Sequence, residues 1–310
     1  MPVVPISPVR QRLPAWFKRS LPDNAVSSET NDVVRKHGLV TVCEEASCPN
    51  RQECWSKKAA TFMLMGHACT RTCTFCDVDY VKSAPPLDET EPERTASAIA
   101  ELDLRFAVIT SVNRDDLPGG GASHFAATIA AVRKRSPGTL IEVLTPDFCG
   151  DTQAIDTVIS ASPDVYNHNL ETIARLYPTV RPQGRYRRSL DLLKRVKTTA
   201  PDLWVKSGIM VGLGETDEEV RRLMDDLRAS GVDIMTIGQY LRPSLTHHDV
   251  IRFVTPEQFE IYKDWGRAAG FAFVASGPYV RSSYVAEEVL KGALDLADLR
   301  RLQGLSLIHI

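Results

Sequence analysis

The chain predicts an α/β fold built from parallel βα units, and three observations lead there. Beyond residue 58, short apolar segments alternate with amphipathic stretches of helical period, as strands joined by returning helices do. Polar residues recur toward the C-terminal ends of those strands, where a βα barrel places its active-site face. No internal repeat or low-complexity linker divides the stretch, so it reads as one domain.

Strands are expected at 61–65, 105–111, 140–145, 165–169, 203–210, 234–239 and 271–276. A strand covered on both faces should be nearly all apolar. The exceptions are therefore informative: Ser111, Glu142 with Thr145, Asn167 with Asn169, Lys206 with Ser207, Gln239 and Ser276. One such residue is easily a satisfied core group. Polar groups at matching ends of six strands favour a lined pocket. Helices are expected at 92–102, 123–135, 151–160, 186–199, 217–230 and 256–269. Several open on capping residues, as in Thr216-Asp217-Glu218-Glu219 and Thr255-Pro256-Glu257.

Six of the seven cysteines crowd ahead of, or just inside, this region. Cys43, Cys48 and Cys54 form C-x4-C-x5-C, and Cys69, Cys73 and Cys76 form C-x3-C-x2-C; Cys149 stands apart. A disulfide framework belongs to small secreted chains. This chain has 310 residues and no apolar signal segment at its start. Structural zinc takes pairs of cysteines closed by a second pair, and neither triplet has one nearby. Inert core cysteines would scatter along strands rather than cluster beside Arg51, Arg71 and Thr72. Iron–sulfur clusters usually take four cysteines. Two sets of three predict two clusters, each with one iron left for another ligand.

The second triplet lies in Gly66-His67-Ala68-Cys69-Thr70-Arg71-Thr72-Cys73-Thr74-Phe75-Cys76 and resembles the signature of the radical S-adenosylmethionine enzymes. The first triplet upstream, and Arg281-Ser282-Ser283-Tyr284 near the other end, narrow the resemblance to the lipoyl synthase family. So do Thr110-Ser111-Val112-Asn113-Arg114-Asp115-Asp116, Tyr166-Asn167-His168-Asn169-Leu170-Glu171 and Thr236-Ile237-Gly238-Gln239-Tyr240. The resemblance runs from about Trp16 to about Glu288.

That resemblance implies a partial (βα)6 barrel of TIM type and two [4Fe–4S] clusters. Cys69, Cys73 and Cys76 would hold the cluster that binds S-adenosylmethionine. Cys43, Cys48, Cys54 and Ser283 would hold an auxiliary cluster that donates sulfur. The implied reaction inserts two sulfurs, at C6 and C8 of a protein-bound octanoyl-lysine. Implied partners are octanoylated lipoyl carrier domains (2-oxoacid dehydrogenase E2 subunits and the glycine cleavage H protein). A ferredoxin or flavodoxin would supply electrons, and an iron–sulfur carrier would repair the auxiliary cluster. Gly208-Ile209-Met210-Val211-Gly212-Leu213-Gly214-Glu215 matches the G-x-I-x-G-x-x-E pattern whose backbone flanks adenine in this superfamily. Phe75, Ser111, Gly212 and Glu215 are accordingly cofactor-site candidates. Asn169 and Glu171 can accept ribose hydroxyls. Lys206, mid-strand among apolar neighbours, needs a carboxylate, from the cofactor or from a neighbouring acid. Arg114, Asp115 and Asp116 are read as shaping a loop, and His247 and His248 as exposed loop residues. Asn113 and Gly119 depart from the family pattern, as does Arg242-Pro243-Ser244-Leu245-Thr246-His247, but none is a cluster ligand.

The resulting division is 1–58 for the extension with the first triplet, 59–280 for the barrel and 281–304 for the terminal segment. Residues 305–310 read as translated sequencing-adapter sequence, since Leu305-Ser306-Leu307-Ile308-His309-Ile310 matches a transposase mosaic end. Composition agrees with a globular enzyme, at 43% hydrophobic and 25% charged residues. A net charge of −2 gives no electrostatic reason to expect nucleic acid or a membrane surface. The first 22 residues are basic, but Pro2, Pro5, Pro8, Pro14 and Pro22 would break a targeting helix. A cytoplasmic protein with reduced thiols is expected.

Anaerobic reconstitution should load about eight irons per chain, and replacing Cys69, Cys73 and Cys76 together by alanine should leave about four. An unchanged iron count in that variant would sink the two-cluster reading.

Overall fold

The computed structural model describes residues 12–18, 25–56 and 60–283, so Tyr284 and the adapter-like 305–310 lie outside the described residues. Among the described residues, the α-helices ahead of the barrel are Ala25–Lys36 (α1), Val42–Glu45 (α2) and Arg51–Ser56 (α3). The first strand is Thr61–Leu64 (β1), followed by the two-residue strands Ala68–Cys69 (β2) and Asp79–Tyr80 (β3). Alternation then sets in with Glu91–Glu101 (α4), Phe106–Ser111 (β4), Ala122–Arg135 (α5), Leu140–Leu144 (β5), Thr152–Ser160 (α6) and Val165–Asn167 (β6). Tyr177–Val180 (α7), Tyr186–Thr199 (α8), Trp204–Val211 (β7), Asp217–Ala229 (α9), Ile234–Gln239 (β8), Pro256–Ala268 (α10) and Phe273–Gly277 (β9) complete it.

Seven strands form one sheet in the order β1-β4-β5-β6-β7-β8-β9, every pair parallel. Each strand neighbours the next in sequence, so right-handed crossovers carry every returning helix over the same face. The other face turns inward. Among the described residues no ladder joins β9 to β1, and the sheet is a partial barrel of six βα units and a seventh strand. Its open edge at β1 is covered: Thr41 bridges Phe62 in antiparallel sense, and the Met63 N–H donates to the Val40 carbonyl at 2.8 Å. That pairing satisfies backbone groups which an exposed edge would offer to other chains. The expected capping box opens α9, with the Glu219 N–H donating to Thr216 Oγ1 and the Thr216 N–H donating to Glu219 Oε2.

Alternation along the strands sorts the interior from the helix-facing core. Ala107, Ile109, Ile141, Val143, Val205, Ile209, Met235 and Ile237 belong to the large core cluster. The opposite parity holds a separate apolar plug of Phe106, Val108, Val165 and Ile234, with Trp204, Phe273 and Ala275 packed on it. Next along these strands, on the same parity, comes a charged layer. Lys206 Nζ meets Glu142 Oε2 at 2.8 Å and Oε1 at 3.0 Å, and Asn167 donates to Oε1 at 2.8 Å. Both charged side chains are 1% exposed. Of the two partners expected for Lys206, the structure supplies the neighbouring acid.

Removing one half of such a pair strands a charge in the interior. Lys206→Met should cost about 3–5 kcal/mol in urea denaturation, and adding Glu142→Gln should recover much of that loss. A single-variant cost near zero would show that the pair is not closed to solvent.

Candidate active site

The loop carrying the second triplet leaves β1 through Met65 and Gly66, both at positive φ. Glu91, buried at the start of α4, fixes the departure: its Oε2 accepts the Met65 N–H at 2.8 Å and lies 2.6 Å from His124 Nε2. Beyond it, Cys69 sits in β2, and its sulfur accepts the N–H groups of Asn113 at 3.3 Å and Arg71 at 3.4 Å. Thr70 is bonded to the Asn113 carbonyl through both N–H and hydroxyl. The middle of the loop is held from two sides. Thr74 donates to Val180 and Thr179 carbonyls at the end of α7, and its own carbonyl accepts the His248 N–H at 2.8 Å. His247 Nε2 lies 3.0 Å from the Cys76 carbonyl oxygen. Against the expectation of exposed loop residues, His247 and His248 are half-buried and brace the cysteine loop.

Inside the loop lies a buried guanidinium. Arg71 is 3% exposed. It binds Asp115 through Nε at 2.6 Å and Nη2 at 2.9 Å, and Asp147 through Nη2 at 2.6 Å. Burial alone would raise the Asp147 carboxyl, but the hydrogen bond and charge of Arg71 carry it well below the ordinary range. Arg188 adds a second cation at 3.2 Å. Asp115 and Asp116 do shape their loop, the latter through a bidentate pair with Arg114 at 2.8 and 2.9 Å.

A cavity of about 970 Å³ opens at the C-terminal ends of the strands, and Cys69, Cys73, Cys76 and Phe75 all line it. Of the first triplet, Cys48 lines it; Cys43 is buried in α2 and Cys54 is half-buried in α3. Ser283 lines the same cavity, with Ser282 and Arg281. Its segment reaches the mouth because Gly238 has no side chain: a Cβ there would collide with the Val280 carbonyl. The first-triplet segment is tied to it by Asn50, which donates to the Tyr279 carbonyl at 2.7 Å. Tyr279 in turn donates to the Phe17 carbonyl at 2.6 Å and packs edge-on against that ring. Burial pushes the Cys43 and Cys73 thiols up to about 11 and the Cys76 thiol up to about 12. Thiols so placed are protonated without metal, and loading a cluster must displace those protons.

The other cofactor candidates divide. Ser111, Asn169 and Glu171 line the cavity. Ser111 Oγ and Asn169 Oδ1 are buried with no partner among the described residues, as is Asn113 Oδ1. Burial raises the Glu171 carboxyl above its usual range, against the opposing pull of Arg181 and Asn169. Gly212 and Glu215 stand back from the lining: Glu215 accepts the N–H groups of Gly212 at 2.7 Å and Leu213 at 2.9 Å. Gly212, at φ +95, makes room for Gln239 and the Arg252 carbonyl, which a Cβ would strike. Of the G-x-I-x-G-x-x-E stretch, Met210 is the residue that reaches the cavity. Lys206 does not line it.

Sequence reasoning passes over two lining residues. Arg181 is buried beside Glu171, donating to the Asn169 carbonyl at 3.0 Å, and His168 is pinned between the Thr145 carbonyl and Ser189 Oγ. Arg181 carries no periodic or motif signal. His168 stands within the recognisable Tyr166-Asn167-His168-Asn169, but nothing in that stretch assigns it a role.

Three soft thiols on one short loop, facing a roomy cavity whose walls hold unpartnered polar atoms, fit a thiolate-bound cluster with a polar small molecule beside it. Among the described residues no three His, Cys, Asp or Glu side chains meet as ligands of one metal ion. A cubane cluster asks instead for thiolates at separate corners.

Comparison with known proteins agrees. Residues 63–227 match the model of the radical SAM superfamily. The lipoyl synthase of Rubrobacter xylanophilus is 54% identical over 284 residues, covering 92% of this chain and 88% of that protein. Two solved structures share the fold at 12% identity. SuiB of Streptococcus suis superposes with a TM-score of 0.54 over 87% of this chain, which spans 58% of SuiB. Methylornithine synthase gives 0.51 over 88% of this chain and 96% of its own. Superfamily match and full-length identity together place the chain in the lipoyl synthase family of radical S-adenosylmethionine enzymes.

Proposed function

We propose that this chain inserts sulfur at C6 and C8 of an octanoyl-lysine on a lipoyl carrier protein, with residues 59–280 as the radical-generating barrel. The segments 1–58 and 281–304 carry the auxiliary-cluster ligands, of which Cys48 and Ser283 line its mouth. The observation that carries this reading is that the whole second triplet, Cys48 of the first and the Ser283 segment line one cavity. When bound, S-adenosylmethionine supplies a carbon-centred radical at the first cluster, and the auxiliary cluster supplies sulfide.

The chain's own residues do the rest. Cys69, Cys73 and Cys76 would hold the first cluster and leave one position open to the cofactor. Asn169, Glu171 and Ser111 offer hydrogen-bond partners along the wall, and Phe75 packs beside the last cysteine. Cys43, Cys48, Cys54 and Ser283 hold the auxiliary cluster. The apolar residues Val42, Met63, Val112, Leu144 and Phe253 line the same cavity and suit an alkyl chain. They also keep water from a reactive carbon centre. A serine oxygen is a harder donor than thiolate and a poorer match for iron–sulfur chemistry, so Ser283 would be the weakest of the four ligands. A ferredoxin or flavodoxin as electron donor, an iron–sulfur carrier for cluster repair and a cytoplasmic setting accompany this reading. Among the described residues no helix is long and apolar enough to cross a membrane.

Replacing Cys43, Cys48 and Cys54 together should spare cleavage of S-adenosylmethionine and abolish lipoyl product in mass spectra of an octanoylated carrier peptide. Lipoyl product from that variant would place the sulfur source elsewhere. Ser283→Cys should load both clusters and release 5′-deoxyadenosine, yet insert sulfur at least tenfold more slowly. Parent-level turnover would refute the releasable oxygen ligand.

A further inference from the structure

The two cysteine triplets are joined by a contact that neither needs for binding iron. Ser47, immediately before Cys48, donates its hydroxyl to Asp77 Oδ2 at 2.6 Å, and Asp77 immediately follows Cys76. The other carboxylate oxygen faces His247, whose Nε2 lies 3.8 Å from Oδ1 and 3.0 Å from the Cys76 carbonyl oxygen. His247 is oriented from behind, with Nδ1 2.9 Å from Ser244 Oγ. One carboxylate thus stands where the first-triplet loop, the second-triplet loop and the segment after β8 converge. Ser47, Cys48, Cys76, Asp77 and His247 all line the same cavity.

The backbone at Ser47 adds a second argument. Its φ is +47°, a region that non-glycine residues visit rarely. Such a conformation persists only where the surroundings over-determine it. The C-terminal cap of α2 supplies that constraint, with the Ser47 N–H donating to the Glu44 carbonyl at 2.9 Å and the Cys48 N–H to the Cys43 carbonyl at 3.2 Å, and it holds the Ser47 hydroxyl against Asp77 one residue from the first-triplet cysteine that reaches the cavity.

We propose that Asp77 is a positioning residue that fixes the separation of the two triplets. This rests on the proposed reaction, in which a carbon activated beside one triplet must meet sulfide held by the other. Placement errors on the order of 1 Å at such a step cost about 100-fold in rate. An exposed hydrogen bond adds little to global stability, so the role shows in coupling and not in folding.

Three variants test it: Asp77→Ala, which removes the acceptor; Asp77→Asn, whose amide oxygen still accepts; and Ser47→Gly, which removes the donor at a φ that glycine tolerates. In the metal-free chain, hydrogen–deuterium exchange over residues 42–50 should be faster in Asp77→Ala and at parent level in Asp77→Asn. Equal exchange in parent and Asp77→Ala would overturn the proposal. In reconstituted enzyme of equal iron content, lipoyl product per S-adenosylmethionine cleaved should fall at least threefold in Asp77→Ala and Ser47→Gly, and stay near parent in Asp77→Asn. Cleavage and product falling in equal proportion would also overturn it. Should the parent make no lipoyl product, the functional reading fails, while the exchange measurement still decides whether Asp77 ties the loops.

Discussion

A guanidinium taken out of water must be matched by charge and hydrogen bonds, and Arg71 sets that constraint at the centre of this molecule. It rises from the cysteine loop itself, between Thr70 and Thr72, and its partners come from elsewhere. Asp115 belongs to the loop after β4 and Asp147 to the loop after β5. The pairing cannot be satisfied unless three successive strand-to-helix connections take one mutual arrangement. Leaving Arg71 unmatched in the interior would cost far more than an exposed pair contributes, so the arrangement is fixed by exclusion of its alternatives. The three thiols of Cys69, Cys73 and Cys76 inherit their placement from that demand.

The barrel is legible because its strands and helices obey different periods, and all seven strands and six of the helices fall within about two residues of the expected bounds. The cysteine triplets are legible as groups because their spacing, together with the length of the chain, sets them apart from disulfide and zinc patterns. The polar strand residues are legible only as a group. Alternation puts Lys206, Glu142 and Asn167 on the inward parity, yet they lie beneath the cavity, where Lys206 and Glu142 neutralise one another. Ser111, the last residue of β4 and on the other parity, and Asn169, past the end of β6, reach it. Sequence records parity but not depth.

Other parts are illegible for a different reason. The N-terminal extension holds α1, α2 and α3 and lays its 40–41 segment along the free edge of β1, and α2 and α3, at 4 and 6 residues, are too short to declare a period. Arg71, Arg181, Ser47 and Asp77 owe their roles to partners remote in sequence: Asn169 is 12 residues from Arg181, Asp77 is 30 from Ser47, and Asp147 is 76 from Arg71. Glu215 and Gly212 show the converse. Their pattern is recognisable, but the carboxylate is taken up by the turn's own N–H groups.

The contacts that join the first-triplet segment to the chain's far end have a bearing on how the protein is made. Asn50 and Tyr279 are separated by 229 residues, and Tyr279 and Phe17 by 262. Contacts of that span carry the largest loop-closure cost in the molecule and form late in folding. Residues 43–54 leave the ribosome before the barrel strands, but the surface that seats them is complete only when β8, β9 and the turn at 277–280 have been synthesised. The extension therefore waits on the barrel, and its three thiols stay outside a finished pocket for most of translation. A cell making this protein has an interval in which those cysteines are open to oxidation.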